Sequence, residues 1–173
     1  MISDKIQDAF NKQINAETYS AYMYWSMAAC FEAMNLQGFA AWMKAQAQEE
    51  MTHAAKFFEF ICERGGRVQL EAIDGPPTDW DSAQAIFEET YKHEQKVTAL
   101  INSLVDLAAT EKDHAANAFL QWFVTEQVEE EANASGILEK LQLVGDAPGG
   151  LFMLDRELGA RTFSPAAGGG DED

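Results

Sequence analysis

Four glutamates and one histidine stand within series of residues that are otherwise apolar. They are Glu17, Glu50, His53, Glu94 and Glu130, and around each of them apolar residues recur every three or four positions. This period marks the buried face of a helix. A carboxylate on such a face is costly unless it is paired or binds a metal. No Lys or Arg occupies these faces nearby, so the pattern indicates a buried cation site.

The donor types narrow the choice of cation. Carboxylate oxygens with a single imidazole suit iron or manganese, and zinc is a common substitute. Glu50 and His53 share a helical face because positions three apart are neighbours, although one such pair is a weak signal alone. Its combination with glutamates on three further faces is specific. A metal-free polar network is the alternative, but ionised carboxylates repel and cannot satisfy one another.

The inward polar positions recur when the sequence is shifted by 77 residues. The pairs related by this shift are Glu17 with Glu94, Glu49 with Glu126, Glu50 with Gln127, and His53 with Glu130. Such a repeat predicts a pseudo-twofold bundle with the two sets face to face. Because the second half has Gln and Glu where the first has Glu and His, the two metal positions are expected to differ.

Five helices must position these residues. Glycine and proline cluster at 65–66, 74–77 and 148–150 and interrupt long helix-compatible segments. We predict helices α1 over residues 4–34, α2 over 38–64, α3 over 82–111, α4 over 114–144 and a short α5 over 150–161.

The connection at 65–81 is long enough to run along the whole bundle. About 17 residues extend roughly 55 Å, whereas a helix of about 30 residues is roughly 45 Å long. The other connections are short, so α1 with α2 and α3 with α4 are predicted to form antiparallel hairpins joined by one crossover.

Composition excludes several partners. The 12 basic residues against 29 acidic ones give a net charge of −17, which argues against nucleic acid and anionic membranes. The apolar stretches are shorter than a membrane span, and the first residues lack a secretory pattern. Cys30 and Cys62 lie in helical patterns, where we expect reduced, buried thiols of a cytoplasmic protein.

At these residues the sequence resembles the bacterial and archaeal non-haem ferritins. The motifs that carry the resemblance are Gln13-Ile14-Asn15-Ala16-Glu17, Gln48-Glu49-Glu50-Met51-Thr52-His53, Tyr91-Lys92-His93-Glu94 and Glu126-Gln127-Val128-Glu129-Glu130-Glu131. The similarity extends to about Phe163. It implies an all-α, ferritin-like four-helix bundle with one long crossover between the second and third helices and a short fifth C-terminal helix.

The resemblance also implies roles for the polar residues. The ligands implied for a first iron are Glu17, Glu50 and His53, and those for a second are Glu94 and Glu130. Glu50 would bridge the two ions. Gln127 would be a weak ligand or a hydrogen-bonding neighbour of the second.

Further roles are implied around this di-iron centre. Glu49, Glu126 and Glu129, with Glu130, resemble the family's third iron site, although a solvated acidic face is the alternative. Tyr24 corresponds to a tyrosine beside the centre that can donate one electron, and plain packing is the alternative. His93, next to Glu94, is expected at the surface.

The function implied is iron storage with ferroxidase activity. Two Fe(II) would reduce O2 or peroxide, and Fe(III) would pass to a mineral inside a homo-oligomeric shell of twenty-four chains. Haem-bearing relatives carry Glu-x-x-His in both halves and a methionine ligand. Here the second half has Gln127-x-x-Glu130, so no haem is expected, although Met51 occupies the methionine position.

Two alternatives stay open at the level of sequence. One is a di-metal oxidase or peroxide-detoxifying bundle without storage, and the other is a structural shell with a degenerate site. The predicted domain covers residues 1–163, and residues 164–173 form a flexible acidic tail.

Overall fold

The computed structural model describes residues 1–145 and 147–160. The helices it contains are α1 (Asp4–Ala33), α2 (Gln37–Glu63), α3 (Ala83–Thr110), α4 (His114–Val144) and α5 (Pro148–Leu158), and the described residues form no strand. The predicted start of α5 was two residues late, because Pro148 occupies the first helical turn, where a missing N–H is harmless. The expected end of α5 at 161, the domain boundary at 163 and the tail lie outside the described residues.

Local sequence defines where the long helices begin. Ser3, Ser82 and Asp113 accept hydrogen bonds from the first free backbone N–H groups of α1, α3 and α4. The turns at 34–36 and 111–113 each contain one residue with positive φ, Asn35 at 58° and Lys112 at 56°. These short turns make α1–α2 and α3–α4 antiparallel hairpins, as predicted. None of the described helices combines the length and apolar character needed to cross a bilayer.

The crossover between α2 and α3 runs along α1. Polar side chains on successive turns of α1 hydrogen-bond the backbone of this extended segment, which has no helix or strand of its own. The hydrogen-bonded pairs are Gln7 with Arg67, Asn11 with Arg67 and Gln69, Asn15 with Ala72, and Ser26 with Pro77. The two hairpins are therefore joined by one full-length crossover, and the predicted fold class is confirmed.

Two apolar clusters fill the bundle. One includes Tyr24, Phe31 and Phe87, and the other includes Phe10 and Phe57. On each long helix, buried polar residues separate the stretch that belongs to one cluster from the stretch that belongs to the other. We call this set the polar layer, and its members are Gln13, Glu17, Ser20, Gln46, Glu50, His53, Thr90, Glu94, Gln127 and Glu130.

Helix α5 is docked on its own chain through the start of α2. The N-terminus of α2 has no cap from its own neighbouring side chain. Asp155 of α5 supplies it, because its Oδ1 accepts from the N–H groups of Gly38 at 2.8 Å and Phe39 at 3.1 Å. A Cβ atom at Gly38 would lie 1.7 Å from the Asp155 carbonyl oxygen, so only glycine allows this approach.

We expect Gly38→Ala to displace α5 and to lower stability by roughly 1–3 kcal/mol, the usual cost of overpacking. Thermal unfolding and limited proteolysis within α5 would measure both effects. Gly136→Ala is the matched control, because nothing lies within 4 Å of a Cβ at that helical position. It should stabilise by roughly 0.5–1 kcal/mol. Equal stability of the Gly38 variant and the wild type would contradict the close docking.

Candidate metal centre

The predicted ligand residues converge in the polar layer. Glu17 comes from α1, Glu50 and His53 from α2, Glu94 from α3 and Glu130 from α4, and each is at most 4% exposed. The four helices bring them to one level because each residue replaces an apolar one at the middle of its helix. One buried site therefore collects side chains that are up to 113 positions apart in sequence.

Glu17, Glu50 and His53 form the tightest group. Among the described residues they are the one set of three potential metal ligands whose atoms all lie within 4.8 Å of one another. His53 Nδ1 lies 3.3 Å from Glu50 Oε2. The Oε2 atoms of Glu17 and Glu50 are buried and make no hydrogen bond within the described chain. These atoms are available to a single cation.

Glu94 and Glu130 lie beside this group but are held by neutral donors. Tyr24 donates its hydroxyl to Glu94 Oε1. Gln127 Nε2 donates to Glu94 Oε2 at 3.2 Å. Gln46 Nε2 donates to Glu130 Oε2 at 2.7 Å. Gln127, which stands where the first half has Glu50, is thus a hydrogen-bond donor to a neighbouring glutamate. The difference between the two metal positions stays a prediction.

Electrostatics shows how unfavourable the site is without a cation. Burial raises the pKa values of Glu17 and Glu50 well above the ordinary value, and neighbouring carboxylates raise them further. Burial, with the charges of Glu94 and Glu49, raises the pKa of Glu130 to about 8. The pKa of Glu94 is also raised by burial, although hydrogen bonds from Tyr24 and Gln127 oppose the shift.

The donor set fits a metal ion. No Lys or Arg is among the buried polar residues of the described chain, and His53 is the one basic side chain among them, so at most one protein cation faces four buried carboxyls. Buried carboxyls that lack a protein cation either retain protons or bind a metal. Two unpartnered carboxylate oxygens next to an imidazole nitrogen are suitable first ligands for a divalent first-row metal.

The three glutamates of the predicted third site lie at the edge of the polar layer. Glu49 and Glu126 are half-buried, and Glu129 is exposed. Burial raises the pKa of Glu126, and the charges of Glu129 and Glu49 add to this shift. The three carboxyls therefore interact with one another, but Glu129 keeps the solvent contact expected of a charged helix face.

Sequence reasoning missed two amides that contact the ligands. Gln13 Nε2 donates to Glu17 Oε1 at 2.9 Å, and Gln46 donates to Glu130. A signal was available for both, since each stands four residues before a ligand and so shares its helical face.

His93 was wrongly expected at the surface. It is half-buried, its Nε2 lies 2.8 Å from Ser20 Oγ, and its ring meets that of Tyr24 edge-on with centroids 6.2 Å apart. Burial lowers the pKa of His93 to about 4, so its imidazole is neutral at pH 7. The exposure of Cys62 likewise differs from the buried thiol expected.

Fold and site together define a helical-bundle protein with a buried carboxylate–histidine cluster that could hold a metal ion. A sequence model described as the ferritin-like domain matches residues 7–144. The chain belongs to the ferritin family. A bacterial non-heme ferritin of Bacteroides fragilis strain 638R is 48% identical over 161 residues, which cover 93% of this chain and 100% of that protein. A bacterial non-heme ferritin of Escherichia coli O157:H7 is 37% identical and covers 91% of this chain and 96% of its own length.

Comparison with solved structures also identifies ferritins as similar folds. An engineered closed form of the Archaeoglobus fulgidus ferritin superimposes with a TM-score of 0.94 at 54% identity, covering 95% of this chain and 100% of that one. The open-pore ferritin of the same archaeon superimposes with a TM-score of 0.93 at 54% identity, covering 94% of this chain and 99% of its own. The fold of this chain is therefore that of known ferritins.

Proposed function

We propose that the chain is a subunit of an iron store that oxidises Fe(II) in the polar layer. The buried group of Glu17, Glu50 and His53 carries this proposal, because its ligand atoms lie within 4.8 Å of one another and no Lys or Arg is buried beside them in the described chain. Carboxylate oxygens are suitable ligands for Fe(II), which is the substrate, and for Fe(III), which is the product. Membership of the ferritin family supports storage as the purpose of the oxidation.

The proposed ligands divide between the two hairpins, and the cluster of Glu17, Glu50 and His53 supports the first position. The first Fe(II) would bind Glu17, Glu50 and His53. Glu94 and Glu130 would hold the second, with Glu50 as the bridge between them. Gln127 Nε2 is a hydrogen-bond donor to Glu94 in this structure. Gln127 is therefore proposed as a neighbour of the second iron or, through its Oε1, as a weak ligand.

The raised pKa values of the buried glutamates determine where protons go. The carboxyls retain protons when no metal is bound, and Fe(II) would displace them because ligands must be deprotonated. Two Fe(II) supply two electrons, which with two protons convert O2 to hydrogen peroxide or hydrogen peroxide to two waters. The residues supply the geometry and the excluded water, and iron supplies the redox chemistry.

Tyr24 is proposed as a one-electron donor beside the second position. Its hydroxyl donates to Glu94, and burial raises its pKa well above the ordinary value. The side chain therefore remains a neutral phenol at physiological pH. Loss of an electron from the ring would send the phenolic proton along the existing hydrogen bond to Glu94.

Glu49, Glu126 and Glu129 are proposed as a third iron site that leads away from the centre. Their mutual influence on the pKa of Glu126 supports this proposal, because a cation would relieve the repulsion among them. Glu130 would connect this site to the second iron.

The store is proposed to be a cytoplasmic shell of twenty-four copies. The charge of −17 suits a protein that attracts cations and gives no support to nucleic acid or an anionic membrane as partner. Haem has no part in the proposal. Met51, at the position used by haem-bearing relatives, is 50% exposed in the single chain.

Aerobic loading of the metal-free protein with Fe(II), followed by size-exclusion chromatography with iron detection, tests the function. We expect many irons per chain to co-elute with a very large particle. About two irons per chain on a small oligomer would instead indicate a di-metal oxidase and would overturn storage.

A further inference from the structure

Two buried amides hold one metal-binding glutamate each. Gln13 Nε2 lies 2.9 Å from Glu17 Oε1 on the same helix, and Gln46 Nε2 lies 2.7 Å from Glu130 Oε2 across the bundle. Gln13 is 3% exposed and Gln46 is 0% exposed. Glu17 belongs to the first metal position and Glu130 to the second, so each position has its own amide.

The buried amide of Gln46 has a hydrogen-bond partner for its nitrogen but none for its oxygen among the described residues. Its Oε1 atom is buried and accepts no hydrogen bond from the described residues, while its Nε2 reaches Glu130. A buried acceptor without a partner costs about 1–3 kcal/mol. A side chain that served only to fill this space would be apolar. The one interaction that favours an amide here is its contact with Glu130.

The contact fixes which oxygen of Glu130 faces the metal position. Rotation of the amide by half a turn would put Oε1 of Gln46 against a carboxyl oxygen, which repels it when Glu130 is ionised. A bound metal would displace the proton of Glu130, so in that state Nε2 would stay on Glu130 Oε2 and leave the other oxygen of Glu130 as the ligand atom. Partners of this kind orient metal ligands, and their loss typically weakens metal binding 10- to 100-fold.

We propose that Gln46 is a positioning residue for the second metal position and that Gln13 is its counterpart for the first. This inference rests on the proposed metal centre. Gln46 acts through Glu130 and does not touch the metal. The first position, whose ligand atoms already lie within 4.8 Å of one another, binds the first cation more tightly and is insensitive to Gln46.

Calorimetric titration of the metal-free protein with Zn²⁺ tests the inference without iron oxidation. Wild type should bind in a tighter and a weaker step. Gln46→Met removes the N–H donor at similar volume, and we expect it to weaken the weaker step by roughly 10- to 100-fold while the tighter step is unchanged. Gln13→Met is the matched control and should weaken the tighter step instead. The two variants are therefore expected to weaken different binding steps, and each controls for the general effect of replacing a buried glutamine.

Thermal unfolding of the metal-free variants separates positioning from packing. Gln46→Met also removes the unpartnered Oε1, so its melting temperature should not fall below that of the wild type. Gln46→Asn is the second variant, because the shortened amide no longer reaches Glu130 and should give the same selective weakening. Two results with a wild type that binds Zn²⁺ in two steps would contradict the inference. Either both Gln46 variants leave the weaker step unchanged, or they weaken both steps equally. In either case Gln46 does not position Glu130. Absence of Zn²⁺ binding by the wild type would overturn the metal centre itself.

Discussion

Replacement of Glu50 by alanine should abolish rapid oxidation of Fe(II) and leave the protein assembled. Glu50 interacts with the second half of the site, since burial raises its pKa and the charges of Glu94 and Glu130 raise it further. Loss of the proposed bridge should slow the first oxidation event by more than roughly 100-fold. Removal of a hydrogen-bond partner of a metal ligand already lowers metal affinity or activity by about 10- to 100-fold, and removal of a ligand should cost more. Stopped-flow absorbance after mixing with aerobic Fe(II) measures the rate, and size-exclusion chromatography measures assembly.

Glu59→Ala is the matched control for this experiment. Glu59 lies on the same helix, carries the same charge and is exposed. Its removal changes the net charge equally but leaves the polar layer intact, so its oxidation rate should equal that of the wild type. Wild-type kinetics in the Glu50 variant would remove the di-iron assignment.

The stability of the metal-free protein should fall as the pH rises from about 5 to 8. Burial raises the pKa of Glu130 from 4.5 to about 8. Between pH 4.5 and pH 8, the carboxyl of Glu130 is therefore protonated in the folded state and ionised in the unfolded state. Unfolding therefore releases a proton, and the free energy of unfolding falls as the pH rises through this window. Glu17 and Glu50, whose pKa values are raised for the same reason, add to the fall.

Chemical denaturation at several pH values, with and without Zn²⁺, measures this slope. Glu130→Gln keeps the shape of the side chain without the titrating group and should flatten the slope. Zn²⁺ should reverse the trend, since it binds the deprotonated carboxylates of the folded state. A stability that rises across this range in the metal-free wild type would contradict the buried, uncompensated carboxyls.

The fold and the polar layer were predictable from sequence because both depend on residues that differ in type from their neighbours along the chain. Glu17 and Glu94 stand out where the helical period demands an apolar residue, and glycine and proline mark the ends of the long helices. The 77-residue recurrence predicted that the two hairpins meet at one level and that the halves of the site differ. The assignment of each ligand to an individual iron stays a prediction.

Features that depend on contacts between distant segments were beyond such reasoning. Gln46 could be recognised as a neighbour of Glu50 on its own helix, but its hydrogen-bond partner Glu130 lies 84 positions away in the sequence. His93 falls next to a ligand on a face that looks exposed, yet packing against Tyr24 and Ser20 half-buries it. No local signal indicates that Asp155 caps a helix 117 positions earlier.

The capping of α2 by Asp155 has a consequence for how copies come together. Phe152 and Met153 of α5 are 60% and 63% exposed in the single chain, so α5 offers an apolar surface to other subunits. The position of that surface depends on the N–H groups of Gly38 and Phe39 in a formed α2, together with the packing of Leu154 and Leu158 in the core of the bundle. A copy whose bundle has opened therefore loses its means of joining its neighbours. In the proposed shell, association through α5 would therefore favour copies whose bundle is folded.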